Sequence, residues 1–123
     1  MTEKTDRLFV PLTAQAFGWW QSGRRKWEVR KRAKRWGPPH VYTGRRVELR
    51  RGYSGPSLWG RIRQVRSTSL RFLPALVRLD HILPPESSFD ALRVAIRAVD
   101  LECPVVAFEV YLDDPIEDVW VER

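Results

Sequence analysis

Apolar positions in the first part of the chain predict a strand followed by a helix. Residues 8–10 form a short apolar run before Pro11, which is typical of a strand. Apolar residues then recur at helical spacing. Thr13 is suited to cap a helix at its N-terminus, and Gly23 is suited to end it. Together these features predict a helix over residues 14–22.

Alternation of polar and apolar positions predicts the next strands. Residues 25–32 alternate, with the apolar side chains of Trp27 and Val29 expected inside and the charged ones outside, namely Lys26, Glu28 and Arg30. Residues 41–51, interrupted at Gly44, and residues 58–65 also favour strands, joined by a hairpin loop over residues 52–57. In the first of these, Val47 and Leu49 are expected inside, and the charged Arg46, Glu48 and Arg50 outside.

The second half of the chain adds helices and one strong strand. Residues 70–79 favour a short helix with Pro74 in its first turn. Ser87 or Ser88 is expected to cap an amphipathic helix whose apolar stripe runs from Phe89 to Val99. Residues 105–112 predict a strand, and residues 116–121 a last one. This order indicates an α+β fold: a small, mostly antiparallel β-barrel with two to three flanking helices.

Length and composition are those of one globular domain over residues 1–123, with a short acidic C-terminal segment, residues 113–123. The single cysteine, Cys103, cannot form an internal disulfide, which favours a reducing, cytoplasmic location. No apolar run is long enough to span a bilayer, and the polar N-terminus does not resemble a signal peptide. We therefore expect no membrane partner.

Charge is distributed unevenly along the chain. Residues 24–78 hold 17 Lys and Arg against two acids, whereas residues 79–123 hold three Arg against eleven acids. Such a basic stretch repels itself unless an anion or the acidic third lies beside it. Because arginine offers a planar fork of donors for phosphate, nucleic acid is the leading partner class.

Other chemistry has weak support in the sequence. His40, His81 and Cys103 lack the spacing of metal ligands, and the chain has no glycine-rich phosphate loop. We expect no metal and no cofactor.

The most specific motif lies where the first helix gives way to a strand: Gly23, Arg25, Glu28 and Arg30. This run resembles the Gly-x-Lys-x-x-Glu-x-Arg hallmark of the ASCH domain family, whose members are small PUA-like β-barrels. The resemblance covers roughly residues 8–112. It departs from the family at Arg25, where lysine is usual, and at Arg45, where an acid often follows the glycine.

The resemblance implies nucleic-acid binding, RNA rather than DNA, in a cleft between the first helix and the following strand. Some family members are described as ribonucleases or as amidohydrolases of acylated cytidine. The lysine and threonine of the amidohydrolases would fall on Arg25 and Glu28, which cannot supply a lysine-type base and a hydroxyl nucleophile respectively. Whether the chain is an enzyme stays open. Ribonuclease chemistry would need a base among Lys26, Glu28, His40 and Tyr42.

Basic and aromatic residues of the middle segment are the expected nucleic-acid contacts. Trp36 and Tyr53, in loops, are expected to be exposed for base stacking, whereas Trp27 and Trp59 are expected in the core. The alternatives are a solvated ladder of surface charges, a hydrolase of RNA or a modified nucleoside, and a module that binds an acidic protein. The acidic C-terminal segment could also cover the basic cleft. The contact set is Arg24, Arg25, Lys26, Glu28, Arg30, Arg32, Lys34, Arg35, Trp36, Tyr53, Arg61 and Arg63, with Arg97 expected to lie outside it.

Overall fold

The computed structural model describes residues 6–113, so the strand expected at residues 116–121 lies outside the described part of the chain. Its strands are β1 (Leu8–Leu12), β2 (Trp27–Lys31), β3 (Arg46–Arg51), β4 (Ser57–Ser69) and β5 (Pro104–Leu112). Its α-helices are α1 (Ala14–Gln21), α2 (Leu73–Leu76) and α3 (Phe89–Ala95), with 3-10 turns at Leu70–Phe72 and Leu79–His81.

The five strands form one curled, mixed sheet in the order β1-β3-β4-β5-β2. The pair β1–β3 is parallel and the other three pairs are antiparallel. The parallel pair is possible because α1 and β2 lie between these strands in the sequence and supply the long crossover it needs. The expected α+β fold is confirmed as a PUA-like half-barrel with three helices.

Apolar side chains pack on both faces of the sheet. On one face, Val10, Leu49 and Phe108 pack with Trp20 of α1. On the other, residues of β2 and β5 pack against the helical segment that follows β4. Residues 105–108 of β5 are fully buried because β5 contributes alternate side chains to both cores. This explains why its apolar run is the most continuous in the sequence.

Thr13 caps α1 as expected, with its Oγ1 accepting a hydrogen bond from the amide of Ala16 at 3.1 Å. Other element boundaries differ from the sequence predictions. The strand expected over residues 41–51 begins only at Arg46, because Gly44 adopts a φ of +94° and turns the chain. The helix expected over residues 70–79 divides into a 3-10 turn, α2 and a second 3-10 turn. Pro74 does lie in the first turn of α2.

The last helix is shorter than its apolar stripe predicted. α3 ends at Ala95, and Arg97 adopts a left-handed conformation with a φ of 61°. This turn removes Val99 from the helix, and its side chain is 86 % exposed instead of buried. Within residues 6–113, no helix has the length and apolar character needed to cross a membrane.

Candidate nucleic-acid interface

A cleft of about 480 Å³ opens between the two edge strands of the sheet and the end of α3. Pro11 and Leu12 of β1 line one side and residues 28–31 of β2 line the other. The end of α3, including Ile96 and Arg97, forms a third wall. Arg25, Glu28 and Arg30, three residues of the motif, all line this cleft.

Glu28 is the central carboxylate of a compact ionic cluster. Its Oε1 lies 3.0 Å from Arg25 Nη2, and its Oε2 accepts a hydrogen bond from Arg30 Nε at 2.8 Å. Trp20 Nε1 also donates to Oε1, at 3.4 Å. The residue is only 3 % exposed, so the alternative of a solvated ladder of surface charges is wrong at this position, as is the expectation that Glu28 lies outside. Glu28 and Arg30, on the charged side of β2, therefore face the cleft instead of bulk water.

Burial alone would raise the pKa of Glu28. The charges of Arg25 and Arg30, with hydrogen bonds from Arg30 and Trp20, outweigh that effect and hold the pKa below its ordinary value of 4.5. The carboxylate is therefore ionised at neutral pH and orients both guanidinium groups. A base poised near neutral pH needs the opposite shift.

The backbone at the end of α1 positions Arg25. Gly23 has a φ of +82°, a conformation that glycine adopts without steric cost, and it ends the helix. The amide of Arg25 then donates to the carbonyl of Trp19 at 3.2 Å, and its Nε donates to the carbonyl of Trp27 at 3.0 Å. The spacing in the motif thus brings Arg25, before β2, and Arg30, within β2, to the two oxygens of the Glu28 carboxylate.

Arginine side chains also join the two edges of the sheet. Arg30 Nη2 donates to the carbonyl of Pro11 at 2.8 Å, and Arg35 Nη2 donates to the carbonyl of Phe9 at 2.5 Å. Both guanidinium groups lie over the ring of Trp36, at 4.6 and 4.7 Å from its centroid. These contacts provide hydrogen bonds to carbonyl groups of β1 across the gap between the two edge strands, β1 and β2.

Two cations that sequence reasoning did not combine meet at the cleft. Lys31 and Arg97 both line it, and Lys31 Nζ donates to the carbonyl of Arg97 at 3.3 Å. Arg97, which was expected to lie outside the contact set, lines the cleft because the chain folds back from α3 to the edge of β2. Because Arg97 is 66 residues from Lys31 in the chain, no short sequence pattern could predict that the two meet.

Other expected contacts lie elsewhere on the surface. Lys26 precedes β2, is exposed, donates to the carbonyl of Gly23 at 3.1 Å and does not line the cleft. Arg24 lies over the ring of Trp19, 5.3 Å from its centroid. Arg32 and Lys34 are exposed beyond the end of β2 and do not line the cleft.

Trp36 and Trp59 are both partly buried, so neither lies where it was expected. Trp36 is half-buried and stacks on Phe108, with 6.3 Å between centroids and 10° between planes, so it is not an exposed loop residue. Trp59 is not in the core: it lies half-exposed under Arg46, whose Cζ is 5.1 Å from the ring centroid. Trp27 is buried, as expected.

Tyr53 is 78 % exposed, as expected, in the turn between β3 and β4. It does not line the cleft. Arg61 and Arg63 on β4 do not line it either, although both are exposed. The expected contact set therefore divides into residues of the cleft and residues of other surfaces.

Glu48 is a second buried carboxylate, although alternation placed it outside. It is 2 % exposed and lies 2.7 Å from both Arg7 Nε and Arg50 Nη2, and Ser57 Oγ donates to it at 2.5 Å. Burial would raise the pKa of Glu48, but the hydrogen bonds from Ser57 and Arg7 and the nearby arginine charges hold it below its ordinary value.

Groups suited to hydrolysis are sparse in the cleft. Among the described residues that line it, Thr13 is the one with a hydroxyl, and that oxygen caps α1. The candidate bases His40 and Tyr42 lie in the segment between β2 and β3 and do not line the cleft. Within residues 6–113, no group of three His, Cys, Asp or Glu could hold a metal ion.

Solved structures with the same fold include several small proteins. The hypothetical protein PH0355 superposes with a TM-score of 0.68 at 17 % identity, over 87 % of this chain and 99 % of that one. The protein PF0455 from Pyrococcus furiosus gives a TM-score of 0.61 at 20 % identity, over 86 % and 96 % of the two chains.

The ASCH protein of Zymomonas mobilis gives a TM-score of 0.63 at 14 % identity, over 86 % of this chain and 67 % of that one. The fold is therefore that of small PUA-like barrels. More particularly, it is the fold of the ASCH domain, as the motif at residues 23–30 predicted. No family model matches the sequence, and a comparison with curated proteins found no match.

Proposed function

We propose that this protein is an RNA-binding module of the ASCH type and that the cleft between β1, β2 and α3 holds part of the strand. The observation that carries the proposal is the charge of the cleft walls. Four cationic side chains line it against one carboxylate, that of Glu28, among the residues that the structure describes. The cations are Arg25, Arg30, Lys31 and Arg97.

The ionic cluster supports binding because it orients donors in advance. Glu28 fixes one edge of the Arg30 guanidinium, and the carbonyl of Pro11 fixes another. A side chain already held in place loses little conformational entropy when a phosphate or a base arrives. Trp36, beneath that guanidinium, adds an aromatic surface to the same wall.

Arg97 supports the proposal through its backbone. A residue with a side chain adopts a φ of 61° at a cost of about 1–2 kcal/mol, and glycine is the usual residue at this position after a helix. The chain nevertheless keeps a guanidinium there, at the rim of the cleft. Backbone strain retained at a cleft is typical of a functional position.

Hydrolysis has less support than binding. Glu28 is held ionised between arginines, and Lys26 lies outside the cleft. The volume of about 480 Å³ is within the range of small-ligand sites, which suits one segment of a strand. RNA is preferred to DNA here on the resemblance to PUA-like barrels.

The test is fluorescence anisotropy with a labelled single-stranded RNA at several salt concentrations. Affinity is expected to fall with salt with a log–log slope of about −0.7 per phosphate contacted. The double variant Lys31→Gln/Arg97→Gln removes two cleft charges. Its matched control, Arg71→Gln/Arg78→Gln, removes two exposed arginines that pair with Glu102 and Asp80 away from the cleft.

We expect the cleft variant to bind at least about tenfold more weakly than the control, because each lost contact to a phosphate costs about 1 kcal/mol or more. Equal losses in both variants would show that the charge acts diffusely and that the cleft is not the site. Absence of binding by the wild-type protein at low salt would exclude nucleic acid and favour an acidic protein as the partner.

A further inference from the structure

A second surface combines aromatic rings with arginines, on the outer side of β1, β3, β4 and β5. We name it the outer aromatic face. None of its residues lines the cleft. Its rings are Phe9, Tyr53, Trp59 and Tyr111, and its arginines are Arg7, Arg46, Arg50, Arg61 and Arg63.

The strand register places these residues side by side. Glu48 of β3 lies between Phe9 of β1 and Trp59 of β4 in one row across the sheet. In the next row, Arg61 lies between Arg46 and Tyr111. Neighbouring strands are about 4.8 Å apart and alternate residues share a face, so the two rows form one continuous surface.

Each of the three rings that the strands contribute to this face, Phe9, Trp59 and Tyr111, lies beside a guanidinium group. Arg7 and Arg50 lie 5.6 Å from the centroid of Phe9, and Arg63 lies 4.5 Å from that of Tyr111. Glu48 holds the first two arginines beside the ring of Phe9. The face therefore presents cations at fixed positions between its rings.

Two of the rings are open to solvent. Tyr53 is 78 % exposed, and its ring packs only loosely on Phe9, with 5.9 Å between centroids and 42° between planes. Tyr111 is 55 % exposed. Such exposure contributes little to burial of apolar area, so folding stability does not explain rings at these positions. Among residues 6–113, five arginines of this face outnumber three carboxylates, Glu48, Asp113 and Glu109, the last lying two residues from Tyr111 on the same face of β5.

We propose that the outer aromatic face binds single-stranded nucleic acid, with unpaired bases stacked on Tyr53 and Tyr111 and phosphates bound by the adjacent arginines. Exposed rings interleaved with cations are the chemistry that single strands require, because every base has a stacking face and every nucleotide a negative charge. A duplex hides its base faces and is bound less well. This inference rests on the proposed function, because it takes the same class of ligand, nucleic acid. It adds a second binding surface and a preference for single strands over duplexes.

The experiment compares three labelled probes by anisotropy: an oligoadenylate of about 12 nucleotides, an abasic strand of the same length and an RNA duplex. Tyr53→Ala and Tyr111→Ala are each expected to weaken binding of the oligoadenylate about 5- to 100-fold. Binding of the abasic strand stays unchanged, since no base is present to stack. Tyr53→Trp keeps a ring and retains affinity.

The matched control is Phe72→Ala, which removes a 58 % exposed ring from the 3-10 turn after β4. It is expected to bind as the wild type does. Urea unfolding of every variant verifies that the fold is intact. Equal affinity of Tyr53→Ala and Phe72→Ala for the oligoadenylate, or an equal loss on the abasic strand, would overturn the inference.

The Lys31→Gln/Arg97→Gln variant separates this inference from the proposed function. If it binds weakly while both tyrosine variants bind normally, the cleft stands and the outer aromatic face fails. If the tyrosine variants alone lose affinity, the face stands and the cleft fails. Wild-type protein that binds polyglutamate as tightly as the oligoadenylate would show a surface for acidic proteins and overturn the stacking proposal.

Discussion

Replacement of Glu28 by glutamine tests whether the buried ionic cluster holds the two sides of the cleft together. The Glu28→Gln variant would keep the shape of the side chain and remove its charge. Two cations would then lose their counter-ion. The Arg25 and Arg30 side chains are only 13 % and 22 % exposed, so water cannot fully replace the carboxylate.

The burial of the cluster determines how much unfolding free energy the Glu28→Gln variant should lose. Breaking a buried ion pair by removal of one partner costs about 3–5 kcal/mol, because a charge stays buried without compensation. A domain of this size has about 5–15 kcal/mol of stability in total, so Glu28→Gln should remove a large part of it. A solvated ladder of surface charges predicts only about 0.2–1 kcal/mol for each pair.

The assay is urea unfolding at neutral and at acid pH. The folded-state pKa of Glu28 lies below its ordinary value of 4.5, so its stabilising contribution is present above that pH. It is lost as the pH falls through the folded-state pKa, where the wild-type side chain becomes neutral as glutamine is. The difference between wild type and variant should therefore be largest at neutral pH and shrink in acid.

Asp90→Asn is the control, since Asp90 forms an exposed pair with Arg93 at 2.7 Å and its loss should change stability little. A loss of less than about 1 kcal/mol for Glu28→Gln at neutral pH would refute the buried cluster. A difference that persists unchanged in acid would show that its effect does not come from the charge.

The same contacts lead to three further predictions. Glu48→Gln should also destabilise the protein in urea, by less than Glu28→Gln, because its partners Arg7 and Arg50 are more exposed, at 24 % and 33 %; an equal or larger loss would contradict this. Arg97→Gly should raise the free energy of unfolding by up to about 1 kcal/mol through relief of the left-handed backbone, and weaken RNA binding. A destabilised variant would show that the backbone there is not strained. Incubation with acylated cytidine should give no product by chromatography, since no activated nucleophile lies among the described residues of the cleft; turnover lost in Lys26→Ala would instead favour the hydrolase.

Local patterns predicted those parts of the molecule that depend on neighbours in the chain. Thr13 and Gly23 mark the two ends of α1 because capping and the left-handed turn are decided within a few residues. The alternation from Val105 onward predicted β5 for the same reason. The motif at residues 23–30 brought Arg25, Glu28 and Arg30 together correctly, since all three belong to one turn and one strand.

Burial of the charged residues could not be predicted in the same way. Alternation says which residues share a face, and it placed Glu28 and Glu48 on charged faces. Both carboxylates are nevertheless buried, because neighbouring side chains cover them and nearby arginines neutralise them, namely Arg25 and Arg30 for Glu28 and Arg7 and Arg50 for Glu48. The places of Trp36 and Trp59 were misjudged because they depend on contacts with distant residues, Phe108 for Trp36 and Arg46 for Trp59.

The sequence by itself determined the class of fold, the cap and stop of α1, the cationic middle segment and the local triad around Glu28. Only the tertiary structure decided where the cleft lies and what else lines it. Lys31 and Arg97 meet there because α3 returns to the edge of β2. The outer aromatic face likewise depends on the register that places Phe9 and Trp59 in one row and Tyr111 in the next. Helix ends and alternation are short-range properties, whereas a shared surface depends on contacts between residues far apart in the chain.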